Sequence, residues 1–364
     1  MPFAGHGMRQ PVRPFTRAHS PARCFRHLPP SIHCSRLSAA TPRDTSHAVD
    51  RRFGGGSIGT APRTVREIHA EVTAQRCFMS ISERKDYILR LKSGCLSLGR
   101  RTLVMGILNV TPDSFSEAGK FFSFDSAVEQ ASALISAGAD ILDIGGESTR
   151  PFSDPVPLES ELERVLPVIE AVRAVGNVPI SIDTTKAEVA KRAIEAGADI
   201  INDVSAMRFD ENMVKVASDS GAPVILMHMQ GNPKNMQQEP RYASLLSEIV
   251  AFLEDRIQFA VQNGVDRSQI IVDPGIGFGK TVEHNLSLIR NLPAFGCLDR
   301  PVLLGASRKR FIGSILGRSP DDREVGTAAV NAVAIASGVH ILRVHDVGFH
   351  LQVARMGDAI RSAG

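Results

Sequence analysis

The 364 residues, 43% of them apolar, are enough for one large domain or two ordinary ones, and 42 basic against 39 acidic residues leave a net charge of only +3. That charge is unevenly placed: residues 1–76 hold 12 Arg, no Lys and four acids, leaving 30 basic and 35 acidic residues from Cys77 onward, a balance that argues against a nucleic-acid partner for the folded part. Five widely spaced cysteines with no C-x-x-C pair point to a reducing compartment, and no apolar run approaches the ~20 residues of a membrane-spanning helix.

Residues 1–76 contain 8 of the 21 prolines and no hydrophobic period, so they are expected to form a disordered extension. Seven Arg and no acid in residues 1–43 is also the composition of an organellar presequence, but Pro11, Pro14, Pro21, Pro29 and Pro30 would break an amphipathic targeting helix, which favours a dispensable extension. Cys24-x-x-His27 with His33-Cys34 matches no standard zinc spacing. Residues 77–100 read as a lead-in segment.

From residue 101 to about 361, short apolar runs alternate with longer amphipathic segments. Strands are expected near 103, 140, 179, 199, 223, 270, 301 and 340, and helices near 126, 160, 186, 211, 244, 282, 323 and 350. Three near-repeats, Ala137-Gly-Ala-Asp, Ala196-Gly-Ala-Asp and Ser337-Gly-Val-His, each put a glycine where a helix turns into the next strand. Eight alternations predict an α/β fold of the (β/α)8 TIM barrel type; a doubly wound open sheet would carry a Gly-rich turn after its first strand, where this chain has Asn109-Val-Thr-Pro-Asp113.

In such a barrel the residues just past each strand converge on one face. Here they are Asn109; Glu147, Thr149 and Arg150; Asp183; Asn202 and Asp203; Met227 and His228; Asp273; Ser307, Arg308 and Lys309; and Arg343 and His345. A single Asp after a strand is commonly a helix cap, as Asp183 could be for the helix near 186, but Arg150, Lys309 and Arg343 are poor caps. These cations, with His345, suit a phosphate or pyrophosphate, and Asn109 with nearby carboxylates could hold a hard cation such as Mg²⁺. Asp183, Asn202 and Asp273 suit a flat heterocycle rich in N–H donors. Gly275-Ile-Gly-Phe-Gly-Lys-Thr281 resembles a P-loop but has Pro at 274 where that pattern requires Gly, so it reads as a flexible loop that lets the backbone and Phe278 approach a ligand.

Met105-Gly-Ile-Leu-Asn-Val-Thr-Pro-Asp-Ser-Phe-Ser116, Asp143-Ile-Gly-Gly-Glu-Ser-Thr-Arg-Pro151, Ile201-Asn-Asp203, Met227-His-Met-Gln-Gly231, Asp273-Pro-Gly-Ile-Gly-Phe-Gly-Lys280, Ser307-Arg-Lys309 and Arg343-Val-His-Asp346 together resemble the dihydropteroate synthase family. The resemblance implies a barrel that joins hydroxymethyl-dihydropterin pyrophosphate to p-aminobenzoate with release of pyrophosphate. It implies Mg²⁺ at Asn109, with Arg150, Arg343 and His345 on the phosphates. Asp183, Asn202, Asp273 and Lys309 would grip the pterin, Met227 and Phe278 would line the pockets, and Thr149 and Pro151 would border the aminobenzoate channel. It implies a homodimer, and the lack of room for a fused pyrophosphokinase domain suggests a cytoplasmic, bacterial-type enzyme, with an organellar location as the alternative. After Ser116 the family usually reads Asp-Gly-Gly where this chain has Glu117-Ala-Gly119, and Arg310 stands where some members carry Ser. A pterin-dependent methyltransferase on the same fold would need no anion site, and a catalytically silent paralogue would keep one without turnover.

Overall fold

The computed structural model describes residues 82–111, 124–150 and 153–363; the extension over 1–76, most of the loop after Asn109, and Pro151 lie outside the described residues. A two-residue turn at Lys92-Ser93 joins the antiparallel strands β1 (Tyr87–Leu91) and β2 (Gly94–Leu98). There follow β3 (Leu103–Asn109), α1 (Phe124–Ser136), β4 (Ile141–Gly145), α2 (Leu158–Val175), β5 (Ile180–Asp183), α3 (Ala187–Ala196), β6 (Ile200–Asp203), α4 (Met213–Ser220), β7 (Val224–Met227) and α5 (Leu245–Gln262). The chain ends with β8 (Ile270–Asp273), α6 (Val282–Arg290), β9 (Leu303–Leu304), α7 (Arg310–Leu316), α8 (Glu324–Ala336), β10 (Ile341–Val344) and α9 (Val347–Arg361).

Strands β3 to β10 form one parallel sheet in the order β8-β7-β6-β5-β4-β3-β10-β9, and a parallel bridge from Val272 to Val302 brings its two edges together as a barrel. Parallel strands covered by helices must be apolar on both faces. The outward residues, among them Val104, Leu142, Ile182, Ile201, Leu226, Val272 and Leu342, pack on the helices, while Leu103, Met105, Ile141, Ile200, Ile225, Ile271, Leu303 and Ile341 form a separate inner cluster. Each such side chain taken out of water contributes ~1.5–3 kcal/mol. At the three near-repeats Gly138, Gly197 and Gly338 have φ of +97°, +120° and +88°, the left-handed turn from helix to strand that the sequence predicts.

Two elements were not foreseen. The β1–β2 hairpin, within the lead-in, puts Leu89 and Leu98 into the inner cluster and so stoppers the floor of the barrel. It is tied down by Arg90, whose backbone N–H donates to Gln269 Oε1 at 3.1 Å, by the Ser93 N–H to Asp199 Oδ1 at 3.0 Å, and by Lys85 to Asp299 at 2.9 Å. Beside it, Arg84 pairs with Asp358 of α9 at 3.0 Å. The other unforeseen element is α7, an extra short helix between β9 and α8.

Candidate active site

The inward alternation that makes the floor apolar continues upward into charge. On β4, Asp143 is fully buried one step above Ile141; on β10, Arg343 stands above Ile341. They meet across the barrel, with Arg343 Nε donating to Asp143 Oδ2 at 2.5 Å and a second guanidinium nitrogen donating to Asp183 Oδ2 at 2.6 Å. Asn202 Nδ2 also donates to Asp143, at 3.2 Å and 3.3 Å to its two oxygens. Asp143 lies inside the motif Asp143-Ile-Gly-Gly-Glu-Ser-Thr-Arg-Pro151, yet it is absent from the strand-end positions that the sequence points to. The available signal was a charge inside the apolar run Asp140-Ile-Leu-Asp-Ile144, which strand periodicity aims into the barrel.

Asp183 does not cap the helix that follows it. The α3 backbone is met instead by Asp210, whose Oδ2 accepts from the Ala187 N–H at 2.8 Å. Asp183 Oδ1 is buried and has no hydrogen-bond partner in the protein. Burial pushes this carboxyl well above the usual range, with Arg343 opposing the shift, whereas the two carboxylates hold Arg343 firmly protonated against its own burial. An unpaired buried acceptor costs ~1–3 kcal/mol, which a ligand N–H would recover.

Above this layer lies a cavity of about 800 Å³ lined by Asn109, Thr149, Arg150, Asp183, Phe278, Lys309, Arg343 and His345 among others. An adjoining space of about 280 Å³ shares Thr149 and Asp183 and runs toward Ser153, Phe209 and Lys234. Asn202, Met227 and Asp273 are buried and do not line the larger cavity. Met227 packs with Val204, Met229, Met236 and Phe278 in a small apolar cluster at the rim. Asp203 is turned inward on its own loop, its two oxygens accepting from the Ser205 and Met207 N–H groups at 2.8 Å and 2.7 Å.

The loop after β8 shows why the P-loop reading fails. Gly275, Gly277 and Gly279 all have positive φ, and a Cβ on Gly275 would sit 1.9 Å from the His228 carbonyl oxygen. The loop's own carbonyls are occupied: Gln237 donates to Gly277 O at 2.6 Å, Tyr242 to Gly279 O at 2.7 Å, and Lys280 Nζ to Phe278 O at 2.9 Å. Lys280 also lies 2.9 Å from His228 Nδ1; burial pushes it down to about 7, making it a staple for this loop that sequence reasoning missed. Gly275 N–H donates to Asp273 Oδ1 at 2.7 Å, and burial still raises that carboxyl to about 6.

Lys309 Nζ sits 4.0 Å over the Phe278 ring, and burial, with the Arg343 charge next, lowers it to about 8. His345 is pushed down to about 3 by burial and then by Arg343, so it is neutral at pH 7. Ser307 Oγ accepts from the His345 N–H at 3.2 Å and lies 2.9 Å from His345 Nδ1. Ser307 Oγ can donate to Nδ1 or accept from it, and either way His345 brings a neutral imidazole rather than a fourth positive charge beside Arg150, Lys309 and Arg343. After β4, Lys186 pairs with both Glu147 and Glu161, and Arg164 donates to Gly146 O at 2.8 Å, which anchors the stretch that carries Thr149 and Arg150. The site thus offers a carboxylate floor for a donor-rich ring, an apolar wall at Phe278, and cations above it.

Residues 105–345 match the family model described as pterin binding enzyme. The dihydropteroate synthase of Synechocystis sp. is 49% identical over 263 residues, covering 72% of this chain and 91% of that protein. The Arabidopsis thaliana protein named mitochondrial folate synthesis bifunctional protein is 44% identical over 275 residues, 71% of this chain and 50% of that one. Among solved structures, dihydropteroate synthase of Xanthomonas albilineans with 4-aminobenzoic acid superposes with a TM-score of 0.72 at 41% identity, covering 77% of this chain and all of that one.

Proposed function

The chain belongs to the pterin-binding enzyme family, as a dihydropteroate synthase, and we propose that its rim cavity carries out that reaction with the residues described above. The enzyme joins hydroxymethyl-dihydropterin pyrophosphate to p-aminobenzoate and releases pyrophosphate. The observation that carries the proposed site is the unpaired, buried Asp183 oxygen beneath a cavity whose rim is cationic.

The pterin edge lies on Asp183, which lines the cavity, with the buried Asn202 and Asp273 as further acceptors for its N–H groups, and Lys309 closes the slot against Phe278. Departure of pyrophosphate is assisted by Arg150 and by the neutral imidazole of His345, groups already fixed in place before charge develops. Arg343, held between Asp143 and Asp183, presents its remaining donor capacity to the same phosphates. The arylamine enters past Thr149 and attacks the methylene carbon at short range, with no covalent enzyme intermediate.

Asn109, at the end of β3, lines the cavity and would offer Mg²⁺ its side-chain oxygen, since Mg²⁺ is commonly bound by few protein oxygens with phosphate and water completing its shell. When bound, Mg²⁺ offsets negative charge on the departing pyrophosphate. Purified chain with Mg²⁺ is expected to release pyrophosphate and form dihydropteroate only when p-aminobenzoate is supplied. Release without the arylamine would indicate a hydrolase, and none despite pterin binding a silent paralogue.

A homodimer is supported by exposed apolar side chains on three packed helices: Ile315 and Leu316 on α7, Val325 on α8, and Phe349, Met356 and Ile360 on α9, with Val325 78% and Met356 64% exposed. Met356→Glu is expected to convert a dimer to monomers in sedimentation. No helix among the described residues is long and apolar enough to cross a membrane. We place the enzyme in the cytoplasm because the prolines of residues 1–43 would break a targeting helix, with an organellar location, in line with the seven Arg there and the mitochondrial name of the Arabidopsis relative, as the alternative. Residues 1–76 fused to a fluorescent reporter would decide between them by imaging.

A further inference from the structure

Lys309 and Ser307, which bring the ammonium and the His345 partner to the cavity, flank a residue in an uncommon conformation. Arg308 has φ of +56°, a region that a long side chain adopts only when its surroundings impose it. Those surroundings are the first turn of α8. Thr327 Oγ1 accepts from the Arg308 N–H at 3.2 Å, Arg323 donates to the Arg308 carbonyl at 2.9 Å, and Glu324 Oε1 accepts from Arg308 Nε at 2.5 Å. The backbone donor, the backbone acceptor and the side chain of one residue are therefore all held by one helical turn.

Glu324 is itself fixed from behind. Its other oxygen lies 2.9 Å from Nε2 of His350, a fully buried residue of α9 whose Nδ1 is 3.1 Å from Asn331 Nδ2. The amide nitrogen can only donate, so Nδ1 accepts and the ring proton sits on Nε2, directed to Glu324. Glu324 does not line the cavity, whereas Ser307, Arg308 and Lys309 do. No element of this relay carries a motif that sequence reading singled out, apart from Ser307-Arg-Lys309.

We propose that Glu324 is a positioning residue for the reaction: by holding the Arg308 guanidinium against the His350-backed carboxylate, it sets the loop that aims Lys309 over Phe278 and Ser307 at His345. The inference rests on Lys309 gripping the pterin. A loop released at Arg308 relaxes toward ordinary φ and swings its two neighbours away from the slot, so the loss falls on pterin binding rather than on the arylamine.

The test uses the full chain with Glu324→Ala, Arg308→Asn, the double variant, and Lys309→Ala as reference. Asn tolerates positive φ, so Arg308→Asn removes the guanidinium and leaves the Glu324 to His350 pair intact; it carries the test alone should Glu324→Ala fail to fold. Each single variant is expected to raise KM for hydroxymethyl-dihydropterin pyrophosphate on the order of 10-fold, with KM for p-aminobenzoate little changed and the double variant no worse than the worse single. A lowered Tm with unchanged KM, or effects that multiply in the double variant, overturns the proposal. Unimpaired pterin binding by Lys309→Ala would instead overturn the reading of the site itself.

Discussion

The floor and the rim of this barrel are built from the same strands in the same register, yet they differ in nearly every physical respect. At the floor the inward positions are Ile141, Ile200, Ile225, Ile271, Leu303 and Ile341, sealed by Leu89 and Leu98 of the hairpin. One or two steps along those strands the inward positions become Asp143, Asn202, Asp273 and Arg343. Stability and chemistry are thus separated along each strand, a few ångströms apart, and a substitution at one level is expected to leave the other level nearly untouched.

The strongest test of that separation is at the rim. Lys309→Ala and Asp273→Asn are expected to lower kcat/KM for the pterin substrate on the order of 10²–10⁴-fold, because buried polar groups lose their ligand partners. Thermal unfolding should show Tm unchanged or raised for Asp273→Asn. Burial raises that carboxyl in the folded state, so its contribution to stability falls as pH rises from the unfolded carboxylate range through about 6, and a neutral isostere relieves the cost at pH 7. At the floor the opposite signature is expected: Leu89→Ala should cost ~2–4 kcal/mol in denaturant unfolding while kcat/KM at 25 °C stays within error. Rim variants that unfold, or a floor variant that loses activity while folded, would break the comparison.

A smaller effect sharpens it. Ionised Asp183 and Asp273 are the stronger acceptors for pterin N–H groups, so activity falls as pH drops through about 7 and about 6, and Lys309 must be protonated, so activity is lost as pH rises through about 8. A pH profile of kcat/KM is expected to be bell-shaped with its maximum between those limbs, and Lys309→Ala should remove the basic limb. The smallest effect is expected from deleting residues 1–76, which precede both the hairpin and the matched family region: kcat/KM and Tm should not change.

The barrel was largely legible because hydrophobic period and helix-ending glycines are local signals. Strands expected near 103, 199, 223 and 340 begin at Leu103, Ile200, Val224 and Ile341. The hairpin was missed although Ile88-Leu-Arg-Leu91 and Cys95-Leu-Ser-Leu98 alternate across a two-residue turn, because a search for repeating β/α units passes over a strand pair that precedes them. The rim positions were legible as a list, since strand ends can be read off the pattern. What joins them was not: the Arg343 bridge to Asp143 and Asp183 spans 200 and 160 positions, and the grip of Glu324 on Arg308 depends on how α8 docks. Periodicity says which way a side chain faces, and only the fold says what it meets.

The stoppered floor also bears on how the chain comes off the ribosome. The hairpin is made before any strand of the barrel it closes, and its ties are distributed through everything that follows: Asp199, Gln269, Asp299 and, beside it at Arg84, Asp358 in the last helix. Leu89 and Leu98 must therefore wait, greasy and unpartnered, until nearly the whole polypeptide has emerged. For this chain vectorial synthesis delivers the cork first and the bottle last, and the interval between them is when a chaperone would be of most use.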